Sequence, residues 1–201
     1  MMSQTQIQRV LKLFRKTTTI RTSDLKEKDI PYSVLARMVS AGLLQKVSRG
    51  LYRQSNTQMS EKEEMVNIAL RVPQAIFCLF TALQFHELTT QLPREIWIAM
   101  PQGSHKPKID YPPLQMIQLT KKIYDVGIDT VIVDQVPIRI YNPAKTVVDC
   151  FKFRNKIGLD VALEALKDAL HQKKVTSDEL YYFAKIERVV KIILPYMEAM
   201  L

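Results

Sequence analysis

Residues 31–54 read PYSVLARMVSAGLLQKVSRGLYRQ, and this stretch decides the fold of the N-terminal part of the chain. Its first half predicts a helix between Pro31 and Gly42, because proline suits the first turn of a helix and glycine suits the residue just past its end. Its second half predicts two short strands around a turn at residues 48–50, where Gly50 can adopt a positive φ. The stretch therefore indicates a helix followed by a β-hairpin.

Two other short helices are predicted before this stretch. The first is predicted by apolar residues with helical spacing, namely Ile7, Val10, Leu11 and Phe14. After a run of threonines, either Thr22 or Ser23 can cap a short second helix, which Pro31 brings to an end. Three short helices followed by a basic hairpin are typical of the winged helix-turn-helix. In that fold the third helix enters the major groove of DNA and the hairpin, or wing, lies along the phosphate backbone.

The positive charge of the chain is concentrated in this N-terminal part. The 201 residues carry a formal net charge of +9, and residues 1–56 contain eleven Lys and Arg against three Asp and Glu. The rest of the chain is therefore almost neutral. We interpret this step in charge as a boundary between a DNA-binding domain, residues 1–56, and an effector domain, residues 57–201. A small basic domain is the electrostatic signature expected of a protein that binds the phosphate backbone.

The predicted third helix and the wing supply candidate DNA contacts. Ser33, Arg37 and Ser40 fall on the polar face of the helix, where they could bond to base edges, and arginine can bind guanine through two hydrogen bonds. The residues predicted to contact phosphates lie on the wing and at the start of the second helix: Lys46, Arg49, Arg53, Arg21 and Thr22. Phosphate contacts position a protein on DNA but do not read its sequence.

The effector domain is predicted to be a mixed α/β body with a small sheet and a helical C-terminal tail, which places the chain in the α+β class. Its predicted strands are 96–100, 114–119, and a hairpin of 131–133 with 138–140. Residues 75–88 are mostly apolar and predict one buried helix. Lys145 and Asp149 stand four residues apart on another predicted helix, and as a surface ion pair they would contribute only about 0.3 kcal/mol.

The sequence lacks the short motifs that mark several common enzyme classes. Its five glycines form neither GxGxxG nor GxxxxGK[ST], and GxSxG and HExxH are also absent. No catalytic residue, cofactor or metal site is indicated, because the histidines and cysteines show no ligand spacing. We expect a cytoplasmic protein that does not contact membranes, since no signal peptide or long apolar segment is evident.

Four segments follow one another in a characteristic order. They are SAGLLQKVSRGLYR at 40–53, TALQFHEL at 81–88, IWIAMP at 96–101 and IRIYNPAKTVVDCFKF at 138–153. Together they resemble the AbiEi-type antitoxins of bacterial abortive-infection toxin–antitoxin systems. The resemblance implies a transcriptional autorepressor that binds inverted repeats in the double-stranded DNA of its own operator, an arrangement compatible with a homodimer. It also implies that the body neutralises a cognate nucleotidyltransferase-like toxin. Many family members carry arginine where this chain has Lys145.

Two other functions stay open from the residues alone. The body could be the ligand sensor or dimerisation platform of a winged-helix regulator that has no toxin partner. The polar groups available for a sensor pocket would then be Cys78, Thr81 and Gln84. The chain could also be a metal-dependent DNA nuclease, although no second carboxylate occurs among the residues that follow Asp134 up to Arg139.

Overall fold

The computed structural model describes residues 4–14, 19–48, 50–55 and 62–200. The chain divides into two compact units. The N-terminal unit comprises Met1–Glu63 and Ile132–Val136, and the body comprises Glu64–Val131 and Pro137–Leu201. The boundary predicted between residues 56 and 57 falls in the segment 56–61, outside the described residues.

The N-terminal unit combines short helices with a three-stranded antiparallel sheet. Its elements in chain order are α1 (Gln4–Leu13), β1 (Thr19–Arg21), α2 (Thr22–Lys26), α3 (Tyr32–Ser40), β2 (Leu44–Ser48) and β3 (Leu51–Gln54). The strands lie in the order β1, β3, β2, and Tyr52 of β3 stands between Ile20 and Lys46 of its two neighbours. This is the winged helix-turn-helix that the sequence predicts, with β1 as an additional strand.

The core of this unit lies between the helices and one face of the sheet. Leu35 and Met38 of α3 are buried there together with Ile20 and Tyr52 from the strands. Burying these apolar side chains is the main source of stability for so small a unit. The predicted apolar face of α3 is confirmed.

The start of α2 differs from the prediction. Its N-cap residue is Arg21 rather than Thr22 or Ser23. The backbone N–H of Arg21 donates to the Asp24 carboxylate at 2.7 Å, which satisfies one of the free amides at the helix start. The helix begins early because β1 runs directly into it, and the sequence carries no alternating pattern that would reveal so short a strand.

The body is built around a five-stranded mixed sheet. Its elements in chain order are α4 (Glu63–Arg71), β4 (Ile76–Phe77), α5 (Leu79–Phe85), β5 (Ile96–Pro101), β6 (Leu114–Leu119), α6 (Lys121–Tyr124), β7 (Ile128–Val133), β8 (Val136–Tyr141), α7 (Pro143–Lys152), α8 (Arg154–Ile157), α9 (Leu159–His171), α10 (Ser177–Glu187) and α11 (Val190–Met200). The strand order is β6, β5, β4, β8, β7. The central strand β4 pairs antiparallel with β5 and parallel with β8, and β5 pairs parallel with β6.

The apolar run at residues 75–88, predicted as one buried helix, contains a strand and a shorter helix. Ile76 and Phe77 form β4 in the middle of the sheet, and α5 begins only at Leu79. Both strand side chains are completely buried. A short apolar run has no period that separates a strand covered on both faces from a buried helix, so the prediction was wrong at this point.

The predicted hairpin and the predicted helical tail are confirmed. Asp134 and Gln135 join β7 to β8 with φ angles of 48° and 63°, the left-handed conformation that a two-residue type I′ turn requires at both positions. In the tail, α11 buries Ile193 and Met197 in the core of the body. Within the part of the chain that the structure describes, no helix combines the length and the apolarity needed to cross a lipid bilayer.

Candidate nucleic-acid interface

Helix α3 presents a polar face to solvent on the side opposite its buried face. The exposed residues are Tyr32, Ser33, Ala36, Arg37 and Ser40. Because they are spaced three and four residues apart, they form adjacent rows along one side of the helix. Three of the five side chains are those of serine or alanine, so the backbone of α3 could approach a DNA groove closely. The long side chain of Arg37 would extend from the same face.

The three predicted base-reading residues therefore share one surface, but their hydrogen-bonding groups differ. The Ser40 hydroxyl donates to the Ala36 carbonyl oxygen at 3.1 Å. Its lone pairs, and not its proton, are then available to a ligand. Such an acceptor suits the exposed amino group of cytosine or adenine, whereas the guanidinium of Arg37 suits the acceptors of guanine.

Lys46 of the wing lies on the same side of the sheet as α3. It stands directly opposite Tyr52 in the register of β2 with β3, and directly opposed residues share a face of a sheet. Tyr52 faces α3, because its side chain is buried in the core and its hydroxyl oxygen lies 2.7 Å from that of Tyr32. The exposed Lys46 thus belongs to the surface that begins at the N-terminal end of α3.

Arg53 lies on the other face of the sheet, because successive residues of a strand alternate between faces. Its guanidinium donates to the side-chain oxygen of Gln45 at 2.7 and 3.1 Å and forms an ion pair with Glu63. Only 14% of its side chain is exposed. The structure therefore separates Arg53 from Lys46, although the sequence grouped both residues on the wing.

Arg21 and Thr22 lie where β1 ends and α2 begins, beside the wing. Arg21 is half-buried and shares the outer face of the sheet with Arg53, as the register of β1 with β3 shows. The N–H of Thr22 donates to the Gly50 carbonyl at 2.9 Å. A Cβ atom added to Gly50, whose φ is 77°, would stand 3.1 Å from the Thr22 hydroxyl oxygen, so Thr22 packs against the turn of the wing. Arg49 lies outside the described residues, and its phosphate contact stays a prediction.

Sequence reasoning missed two members of the exposed face, Tyr32 and Ala36. The signal was the four-residue interval that places Tyr32, Ala36 and Ser40 in one row of α3. Tyr32 reads as an apolar residue in the sequence, yet 56% of it is exposed. Together with Ser33, Arg37, Ser40 and Lys46, these residues form what we call the α3–wing surface.

In the body, Lys145 and Asp149 are completely buried, so their prediction as a surface pair was wrong. The Lys145 ammonium donates to Asp149 Oδ1 and to Glu187 Oε1, each at 2.5 Å. The partly exposed Lys152 donates to the second oxygen of Glu187 at 2.5 Å. We call these four residues the buried charge cluster. It joins α7 to α10, and the sequence could not reveal it because Glu187 lies 42 residues beyond Lys145.

In the buried charge cluster, burial and the attraction of the lysines shift the pKa values of the two carboxyl groups in opposite directions. Burial raises the pKa of Asp149 to about 7, although the Lys145 ammonium acts in the opposite direction. The neighbouring Glu187 carboxyl also raises the pKa of Asp149. The second oxygen of Asp149 is buried without a hydrogen-bond partner among the described residues. Burial also disfavours the charged form of Glu187, but its bonds to Lys145 and Lys152 outweigh that effect and lower its pKa.

Comparison with known proteins gives a family match and similar solved structures. Residues 8–53 match the family described as transcriptional regulator, AbiEi antitoxin. This match covers the winged helix, and it ends before the body begins. The fold is similar to the crystal structure of the RV2827C protein from Mycobacterium tuberculosis, with a TM-score of 0.64 at 12% sequence identity. That similarity covers 90% of this chain and 71% of the other. No curated protein sequence gave a significant match.

Proposed function

We propose, from the match of residues 8–53 to the family described as transcriptional regulator, AbiEi antitoxin, that this protein is a sequence-specific DNA-binding autorepressor and antitoxin. It acts by binding, without a catalytic step or a cofactor of its own. Its partners are double-stranded operator DNA with inverted repeats and a cognate nucleotidyltransferase-like toxin. The winged helix binds the DNA, and the body counteracts the toxin in the cytoplasm.

The α3–wing surface is the observation that carries the DNA-binding part of this proposal. Small side chains on α3 allow the helix to enter the major groove, and Arg37 lies on the same exposed face, where its guanidinium can bind base edges. Lys46 lies on the same side of the sheet, where it can neutralise a phosphate that borders the groove. Arg21 and Arg53 are left out of the proposed interface because they lie on the other face of the sheet, and Thr22 is left out because it packs against the turn of the wing.

Replacing Arg37 by Ala tests the base-reading role of α3. We expect the affinity for DNA from the protein's own promoter to fall by about 1 to 3 kcal/mol and the affinity for random duplex to change much less. The measurement is fluorescence anisotropy with both duplexes at one fixed salt concentration. An equal loss on both duplexes would show that Arg37 does not read bases.

Lys46 and Arg53 offer a matched pair for testing the phosphate contact, since each replacement by Gln removes one positive charge from the wing. For Lys46→Gln we expect weaker binding to every duplex and a decrease of about one in the slope of log K against log salt. For Arg53→Gln we expect an unchanged slope, because Arg53 already pairs with Glu63 on the other face of the sheet. Equal changes in the two slopes would refute the assignment of the interface.

The antitoxin part is tested by expressing the full chain together with the nucleotidyltransferase-like toxin encoded beside it. We expect the wild-type chain to restore growth of the host cells. A chain carrying both Arg37→Ala and Lys46→Gln should restore growth equally well at matched protein levels, because toxin neutralisation is assigned to the body. Failure of the wild-type chain would contradict the antitoxin role, and failure of the double variant alone would contradict the division of labour.

A further inference from the structure

Two tyrosine hydroxyls meet between α3 and the wing. The hydroxyl oxygens of Tyr32 and Tyr52 are 2.7 Å apart, and the two rings contact edge to face with centroids 6.4 Å apart. The two residues differ in their access to solvent, since Tyr52 is 2% exposed and Tyr32 is 56% exposed. The pair therefore connects the interior of the winged helix with the α3–wing surface.

The direction of this hydrogen bond follows from the burial of Tyr52. Among the described residues, only the Tyr32 oxygen lies within hydrogen-bond distance of the Tyr52 hydroxyl. A buried O–H group that does not donate costs about 1 to 3 kcal/mol, so the Tyr52 proton points at the Tyr32 oxygen. Burial, together with the Tyr32 hydroxyl, raises the pKa of Tyr52 to about 12. The proton of Tyr32 is then directed outward.

We propose that Tyr32 is a DNA-contacting residue whose hydroxyl donates to a phosphate oxygen, and that Tyr52 is the positioning residue that orients it. A phosphate oxygen is an acceptor, which matches the outward proton of Tyr32. The Tyr32 hydroxyl lies against Tyr52, which is directly opposite Lys46 in the sheet, so the donor and a cation occupy one side of the wing. Accepting a bond from Tyr52 also makes the Tyr32 hydroxyl a better donor. This inference rests on the proposed entry of α3 into a DNA groove.

The test uses full-length chains and two duplexes, one from the protein's own promoter and one of scrambled sequence. We expect Tyr32→Phe to weaken binding to both duplexes by about the same factor, roughly tenfold, because a hydrogen bond to a charged group is lost. The salt slope should not change, since no charge is removed. Tyr182→Phe is the matched control, because Tyr182 on α10 of the body is also 56% exposed. This control should bind both duplexes as the wild type does.

Tyr52→Phe examines the positioning role. We expect it to weaken binding a few-fold when Tyr32 is present and to add nothing in the Tyr32→Phe chain, because its hydroxyl acts only through that of Tyr32. Independent, additive losses would overturn the positioning role. Unchanged binding by Tyr32→Phe would overturn the phosphate contact, as would a loss confined to the promoter duplex. If the wild-type chain binds neither duplex, the proposed function itself fails, which is a different result.

Discussion

Replacing Lys145 by Met is expected to lower the free energy of unfolding of the body by about 3 to 5 kcal/mol. The side chain is completely buried, and its ammonium is bonded to both Asp149 and Glu187. Its removal leaves Asp149 and Glu187 buried with their charges uncompensated, apart from the contact between Glu187 and Lys152. The measurement is chemical denaturation followed by the fluorescence of Trp97, which lies in the core of the body.

Lys152→Met is the control for this prediction. The Lys152 side chain is 26% exposed and, within the described ranges, bonds to Glu187 only, so we expect a loss of no more than about 1 kcal/mol. A similar loss in free energy of unfolding in both variants would contradict the expectation that the buried lysine contributes more stability than the partly exposed one.

The loss in free energy of unfolding caused by Lys145→Met should also become smaller as the pH falls from 8 to 5. Lys145 works against burial by lowering the pKa of Asp149 and Glu187, so its removal lets both carboxyls bind protons more readily in the folded state. A group whose pKa is higher in the folded state stabilises that state progressively as the pH drops. Other titrating groups are common to both proteins and cancel in the difference. A deficit that grows toward pH 5 would contradict this account of the cluster.

Leu35→Ala is expected to destabilise the N-terminal unit by about 2 to 5 kcal/mol and thereby to weaken DNA binding. Leu35 lies on the buried face of α3, opposite Ser33 and Arg37, and is completely buried. The substitution therefore removes core packing without changing the α3–wing surface. Amide hydrogen exchange gives the free energy of opening residue by residue. We expect the loss of protection in α3 and β3, while the amides of β5 and α7 keep theirs.

Val39→Ala serves as the control, because Val39 lies in the same helix but is only partly buried. Val39→Ala should lower the free energy of unfolding of the N-terminal unit by about 1 kcal/mol. If the amides of the body lose as much protection as those of α3 in Leu35→Ala, the two units unfold together and the predicted division into two domains has no energetic basis.

The parts of the molecule that sequence reasoning predicted well are governed by neighbours along the chain. The inward face of α3, with Leu35 and Met38, and its outward face, with Ser33 and Arg37, follow from helical spacing alone. The turn at Asp134 and Gln135 is also local, because two apolar strands that flank a short polar stretch indicate a hairpin.

The errors occur where a distant partner decides the environment of a residue. Lys145 looks like a surface cation until Glu187 and the remainder of the core enclose it. Ile76 and Phe77 become a strand only because β5 and β8 pair with them from both sides. The separation of Arg53 from Lys46 could not be predicted either, since a sum of charges contains no information about which face of a strand each residue occupies.

The two faces of α3 have a consequence for how the DNA specificity of the protein can evolve. The side chains that would read bases, such as Ser33 and Ser40, are exposed, whereas Leu35 and Met38 support the fold from the other side. Exposed positions of this kind usually alter stability by less than about 0.5 kcal/mol when substituted. When the promoter sequence mutates, single substitutions on α3 could therefore restore its recognition, and each would leave the protein folded. The same separation makes α3 a practical starting point for redirecting the protein to a chosen operator.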